Sequence, residues 1–461
     1  MAMPAWDRRG FIAAGLGLAG CARFDRPSLP WLYRTTQENI DQPPLIVIPG
    51  AFGSSLRDQR SGREIWPGSS GNLLASNYTN LELEIDPATL RPVTREVQAY
   101  DIFEQGLGRD FYGHVLQTLQ GAGGYARCGA CEQPHPGRRN FYIYSYDFRL
   151  DNVVAVRGLH EMIERIRSYY GNPRQAFDIL AHSNGGLIAR YYARYGTAEL
   201  PESGPFTPTY AGAAAIRRLL QVGTPNLGTI QPVLSLVRGE EIGLRRIPPE
   251  VMATCQAPPQ VMPHPAIPWL VDTAGAALSL GLHDLSTWAE LRQGVFNPNV
   301  AGRVIARHGG GAAGRSYLAL LREYVGRHLH FGRRFAESLS LPGGPQDVQP
   351  YVFGGDCAPT LARLVVEPDN EGYRLRESVR EIAHPVPGID YEPLMFEPGD
   401  TVVTRSSLLG RRTLNVAAPR EEIESMRVTH SVFLCERHQS LTGNPSFQDN
   451  LLNALLSIDP V

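Results

Sequence analysis

Ala181-His182-Ser183-Asn184-Gly185 constrains this chain more than any other segment. It stands directly after the apolar run Phe177-Asp178-Ile179-Leu180 and just before a helix-like stretch, Leu187 to Tyr195. A strand that reverses into a helix this sharply has no room for large side chains two residues before or after the turn. Alanine and glycine fill those positions, alanine standing where the common pattern has a first glycine. Such a turn strains the central serine and exposes its hydroxyl at the sheet's edge, near a helix N-terminus. Ser-x-Gly-Gly alone is ordinary loop composition; the strand before it and the helix after it make Ser183 a candidate nucleophile.

The same alternation continues on both sides. Leu45-Ile46-Val47-Ile48, closed by Pro49-Gly50, reads as a buried strand, Tyr112 to Leu119 as a helix and Asn140 to Tyr146 as an aromatic strand. Val153 to Tyr170 has helical spacing and stops at Gly171-Asn172-Pro173, and Ile216 to Val222 is a further strand before Gly223-Thr224-Pro225. This order predicts an α/β fold with a mostly parallel sheet covered on both faces. Residues 51–110 are glycine-rich and irregular, too long for a plain connection, and read as a lid-like loop. Residues 229–345 read as an inserted cap containing one clear helix at about 316–327. The core is expected over 43–228 and 346–461. Its second part runs through Pro350 to Asp356, Leu361 to Val366, Val402-Val403, a strand Val428 to Leu434 and a last helix near 446–456.

An unaided serine hydroxyl is a weak nucleophile and needs a base and an acid that orients it. The expected chain order is serine, acid, histidine. Asp400, in Glu397-Pro398-Gly399-Asp400-Thr401-Val402, is the preferred acid, with Asp356 as its competitor. Of twelve histidines, His438 lies in a loop between the last strand and the last helix and is the preferred base. His430 falls inside that strand, where a packed or surface role is ordinary. His182 faces away from the serine by the geometry of the turn and reads as structural. Charge developing on a carbonyl oxygen must be met by backbone N–H groups. Asn184 supplies one; Ala51 or Phe52, in the turn Pro49 to Gly53, supplies the other, Phe52 being preferred.

Composition removes other chemistries. All 44 basic residues are arginine, which excludes a lysine nucleophile or Schiff base, and a net charge of -2 gives no reason to expect nucleic acid. Cys128-Gly129-Ala130-Cys131 has the spacing of half a zinc ribbon without a second half, so a small loop disulfide or unpaired thiols are expected there. Gly309 to Gly314 lacks the lysine and strand of a phosphate loop. No metal or cofactor is called for. The start, with Arg8-Arg9-Gly10-Phe11-Ile12, a short apolar run and Leu18-Ala19-Gly20-Cys21, reads as an export signal over 1–21 ending in a lipidated cysteine, followed by a linker over 22–42. Acylated Cys21 would hold the protein at a membrane outside the cytoplasm, and Ala22 leans toward the periplasmic face of an outer membrane.

Several segments together resemble the lecithin:cholesterol acyltransferase and lysosomal phospholipase A family. They are Pro44 to Ser54, Tyr146-Asp147-Phe148-Arg149-Leu150, Ala181 to Gly186, Val222 to Gly228, Gly399 to Ser406 and Arg437-His438-Gln439-Ser440-Leu441. The likeness runs from about 43 to 458 and is thin over 51–110 and 270–345. It implies an α/β-hydrolase fold, Ser183, Asp400 and His438 as triad, a lid, and a cap that grips lipid. It further implies acyl transfer from a phospholipid through Ser183 to water or to an alcohol such as a sterol. Asp147 and Arg149, commonly a structural ion pair in such a place, would lie near the acyl or head-group pocket with Ala51. The family commonly has tryptophan where Phe148 stands, a leucine-like residue at Phe52, and a longer Gly-Asp-Gly-Thr-Val segment around Asp400. The competing readings are a neutral lipase or carboxylesterase and a non-catalytic lipoprotein scaffold.

Overall fold

The computed structural model describes residues 28–36, 41–68, 76–93, 97–106, 108–341, 343–344, 348–370, 372–413 and 422–457. The predicted leader 1–21, Cys21 included, and part of the linker lie outside the described residues. The central sheet has seven strands: β1 (Leu45–Ile48), β2 (Tyr125–Arg127), β3 (Arg139–Ile143), β4 (Phe177–His182), β5 (Ile216–Val222), β6 (Gln349–Gly355) and β7 (His430–Leu434). They lie in the order β7-β6-β5-β4-β1-β3-β2, and every neighbouring pair is parallel.

Strand alternation decides how this sheet is covered. Successive side chains point to opposite faces. Leu45 and Val47 join Leu180, Leu220 and Phe353 on one face, beneath α1 (Gly113–Gly121) and the C-terminal helix Pro445–Leu456. Ile46 and Ile48 join Ile179 and Ala181 on the other, beneath α2 (Asn152–Tyr170) and α3 (Asn184–Tyr195). Both ends of α2 are written in sequence. Asp151 accepts the Val153 N–H at 2.8 Å, and Gly171 closes the helix at φ 59°.

Topology sets the position of the site. After β1 the chain builds β2 and β3 on one side, then crosses to β4 and continues outward through β5, β6 and β7. The direction of winding therefore reverses between β1 and β4. A crevice opens at such a point, beyond the carboxyl ends of the strands. The turn after β1 and the turn holding Ser183 border it.

Four expectations are corrected. Residues 51–110 contain a three-stranded antiparallel sheet, Ser54–Asp58 between Glu64–Trp66 and Val97–Ile102, whose short polar strands carry little periodic signal. The cap helix predicted at about 316–327 is α4 (Gly311–Leu339), 29 residues long. Its buried stripe includes His328 and Gly332, which disguise the apolar period; a Cβ at Gly332 would stand 2.3 Å from the Pro259 carbonyl oxygen. Leu361 to Val366 does not continue the core sheet. Ala358–Leu361 pairs with Phe396–Gly399, and Leu364–Asp369 lies between Leu270–Val271 and Gly372–Arg376. Val402-Val403 is a turn rather than a strand.

Of the two states foreseen for Cys128 and Cys131, both thiols are free. The disulfide joins Cys357 to Cys435, just beyond the paired ends of β6 and β7, with Cα atoms 5.2 Å apart. Among the described residues, no helix is long and apolar enough to cross a membrane.

Packing of α2 gives a direct test. Ile163 is fully buried, whereas Val154 on the same helix is 44% exposed. Ile163→Ala is expected to lower the unfolding free energy by about 2–5 kcal/mol, and Val154→Ala to change it by about 0.5 kcal/mol or less. Urea unfolding of both variants measures the contrast.

Candidate active site

At the end of β4 the backbone turns into α3 within one residue. Ser183 adopts φ 51° and ψ -123°, a region that costs a non-glycine residue about 1–3 kcal/mol. The turn is over-determined: the Ser183 N–H donates to the Val222 carbonyl at 2.8 Å, and the Gly186 N–H donates to the Ser183 carbonyl at 3.0 Å. A Cβ at Gly185 would stand 2.6 Å from the Pro49 oxygen and 2.8 Å from the Ile48 oxygen. Only glycine lets α3 approach the end of β1 this closely.

Asp400 is completely buried. One carboxylate oxygen accepts the N–H groups of Val402 at 3.0 Å and Val403 at 2.6 Å. The other lies 2.8 Å from His438 Nδ1. The His438 backbone N–H also donates to the Asp400 carbonyl at 2.7 Å, which fixes the two loops together. Because the carboxylate oxygens act as acceptors, the imidazole proton sits on Nδ1. Nε2 then faces Ser183 Oγ as an acceptor, 3.1 Å away. The structure thus brings together Ser183, His438 and Asp400, three residues drawn from loops far apart in the chain. The competitors lie elsewhere: Asp356 pairs with Arg405 at 3.4 Å, and His430 is exposed on β7 opposite Tyr351.

His182 is turned away, its Nδ1 2.8 Å from the Tyr112 hydroxyl. Burial, aided by nearby His438, pushes its pKa down to about 3, so the ring stays neutral. The turn after β1 is closed by the Gly53 N–H donating to the Gly50 carbonyl at 3.1 Å, with Ala51 and Phe52 at its centre and Phe52 at φ 61°. The Trp66 indole N–H donates to the Phe52 carbonyl at 2.9 Å and fixes that peptide. The Asn184 side chain faces inward in a reciprocal amide pair with Asn152, at 2.8 and 3.0 Å.

Asp147 and Arg149 form a two-point ion pair, Nε to Oδ1 at 2.9 Å and Nη2 to Oδ2 at 2.7 Å, with side chains only 11% and 5% exposed. A further Arg149 N–H reaches the Leu81 carbonyl at 3.4 Å, which ties the pair to the short turn at Thr79–Leu81. Between them, Phe148 packs its ring 4.7 Å from Phe52. Phe148 and Phe52 are therefore packed neighbours, so a larger ring at one would have to be matched at the other. Among the described residues, no three His, Cys, Asp or Glu side chains gather as a metal site requires. The sequence does not single out Tyr112, Asn152 or Gln260, whose side-chain oxygen accepts the Asn152 N–H at 2.8 Å. No local pattern links such distant positions.

Comparison with solved structures bears on the fold. A chain of the Tle4–Tli4 complex aligns with a TM-score of 0.56 at 15% identity, over 91% of this chain and 98% of that one. EstA from Clostridium botulinum aligns over 93% and 90% at 10% identity, with a TM-score of 0.34, too loose a likeness to argue from. No family model and no curated protein matches the chain. The parallel seven-stranded sheet with helices on both faces, and the first of these likenesses, define an α/β-hydrolase fold.

Buried histidines make stability depend on pH. Burial lowers His182 to about 3 and His264, His283 and His328 to about 4. In the unfolded chain each returns to about 6.5. Below that pH the unfolded chain binds protons that the native chain refuses. The contribution is fully present above pH 6.5 and is lost progressively as pH falls toward 4, by up to about 1.4 kcal/mol per pH unit for each ring. Urea unfolding at pH 7.5 and pH 5 should show a clearly less stable protein at pH 5; equal stabilities would mean these rings titrate normally in the folded state.

Proposed function

We propose that the protein is a serine-dependent acyl-transfer enzyme acting on lipid esters, of the phospholipase A or lipid acyltransferase type. One observation carries the reading: His438 lies 3.1 Å from Ser183 Oγ on one side and 2.8 Å from Asp400 on the other. A serine oriented this way can pass its proton to His438 Nε2 as Oγ bonds to the ester carbonyl carbon. The carbonyl oxygen then becomes negative and is met by the N–H groups of Asn184 and of Phe52 or Ala51. Collapse breaks the ester bond, His438 returns the proton to the departing alcohol, and the acyl group remains on Ser183. Water or an alcohol repeats the sequence in reverse and releases a fatty acid or a new ester.

Phospholipid as donor, and water or an alcohol such as a sterol as acceptor, rest on the resemblance to lecithin:cholesterol acyltransferase and lysosomal phospholipase A carried by Tyr146 to Leu150 and Gly399 to Ser406. An acylated Cys21 would supply a membrane tether that concentrates such a substrate. A neutral lipase or carboxylesterase would use the same three residues on other esters. A scaffold would gain nothing from a strained serine held against a histidine.

Purified protein incubated with labelled phospholipid, with and without a sterol, separates these readings. Labelled sterol ester marks transfer to an alcohol, and free fatty acid alone marks hydrolysis. Release of label only from small or neutral esters marks the esterase, and no product from any ester marks the scaffold. Ser183→Ala is expected to lower product formation by about 10⁴-fold or more while leaving the urea unfolding midpoint within error of the parent.

A further inference from the structure

We infer that Tyr112 and Tyr146 are positioning residues that lock one peptide unit, Pro49–Gly50, to the residues on either side of Ser183 and so keep the two halves of the oxyanion hole in register. The inference rests on the reading of Ser183 as an acylated nucleophile.

Both polar groups of that peptide are gripped by a phenol. The Tyr146 hydroxyl donates to the Pro49 carbonyl at 3.1 Å, and the Gly50 N–H donates to the Tyr112 hydroxyl oxygen at 2.9 Å. Each phenol then reaches across to the elbow. Tyr146 accepts the Asn184 side-chain N–H at 3.2 Å, and Tyr112 lies 2.8 Å from His182 Nδ1. His182 and Asn184 are the residues immediately before and after Ser183. The Tyr112 oxygen thus accepts from Gly50 and shares a second hydrogen bond with the His182 ring.

The arrangement matters because the turn and the elbow come from different strands. One half of the hole is the first N–H of α3; the other is an N–H of the turn after β1. Pro49–Gly50 is the peptide immediately ahead of Ala51 and Phe52, so a rotation of its plane would re-aim their N–H groups. Sterics alone do not prevent rotation, because Gly50 has no side chain, and a Cβ there would stand 2.8 Å from Ser183 Cβ. Hydrogen bonds at both ends of the peptide supply the missing constraint. Both phenols are buried, and burial raises their pKa well above the usual range, which keeps the bridging protons in place. Tyr146 is itself anchored, its N–H donating to Ser54 Oγ at 3.1 Å.

Removing each hydroxyl alone tests this. Tyr112→Phe and Tyr146→Phe are compared with Tyr125→Phe on β2, whose buried hydroxyl has no partner among the described residues. Sites are counted by end-point titration with a fluorophosphonate. Per titrated site, kcat on p-nitrophenyl butyrate and the rate of phosphonylation should both fall about 10- to 100-fold in the first two variants. KM should stay within about threefold, and Tyr125→Phe should keep its parent's kcat within about twofold. A variant that keeps parental kcat and phosphonylation rate overturns the assignment for that tyrosine. A loss appearing only as fewer titratable sites marks a purely structural role and overturns it as well. Failure of the underlying reading is distinguishable, since the parent protein would then not be labelled at Ser183 at all.

Discussion

The backbone at Ser183 is held in a conformation that a serine does not choose, and much of the surrounding structure exists to hold it there. β4 delivers the residue, β5 receives its N–H, and α3 starts on the next residue. Glycine at 185 lets that helix press against the carbonyls that end β1. The strain is sustained because strand and helix are packed into one hydrophobic layer, Ile179 and Ala181 of β4 against the same core as Leu187 and Ile188 of α3. A partly buried serine hydroxyl held against His438 at the topological reversal of the sheet is the consequence.

The acid and the base are delivered by a different mechanism. Asp400 sits on a turn at Gly399-Asp400-Thr401, where Thr401 has φ 82°, and the turn's own amides hold its carboxylate. His438 follows β7 by a few residues, and the Cys357–Cys435 disulfide ties that loop to the end of β6. Gly223, at the end of β5, leaves the imidazole its space, since a Cβ there would stand 2.9 Å from the ring. Ser183 and His438 thus come from loops at the ends of strands of the parallel sheet, while Asp400 comes from the end of the separate antiparallel pair Ala358–Leu361 and Phe396–Gly399.

Sequence disclosed the parts of this arrangement that obey a local rule. The elbow has fixed spacing, β1 and β4 are continuous apolar runs, and α2 carries its cap and its glycine stop. Asp400 and His438 were legible through chain order and loop position alone. What escaped has no local signature. The antiparallel sheet within 51–110 is made of short polar strands, and the second half of α4 hides its apolar stripe behind histidine and glycine. The excursion of 358–399 from the central sheet is set by pairing within the segment and with Leu270–Val271, and the disulfide by the register of β6 and β7. Tyr112 and Tyr146 are buried phenols whose partners, backbone and side chain alike, are distant in sequence. Roles of that kind are defined only by the folded chain.

The central claim is that Ser183 accepts an acyl group while its carbonyl oxygen is held between two strand ends. A crystal structure of the protein after reaction with a lipid-like fluorophosphonate tests it most directly. The account predicts phosphorus bonded to Ser183 Oγ, with the phosphoryl oxygen about 3 Å from the N–H of Asn184 and from that of Phe52 or Ala51. An unmodified Ser183, or an adduct whose phosphoryl oxygen points away from both turns, would contradict it.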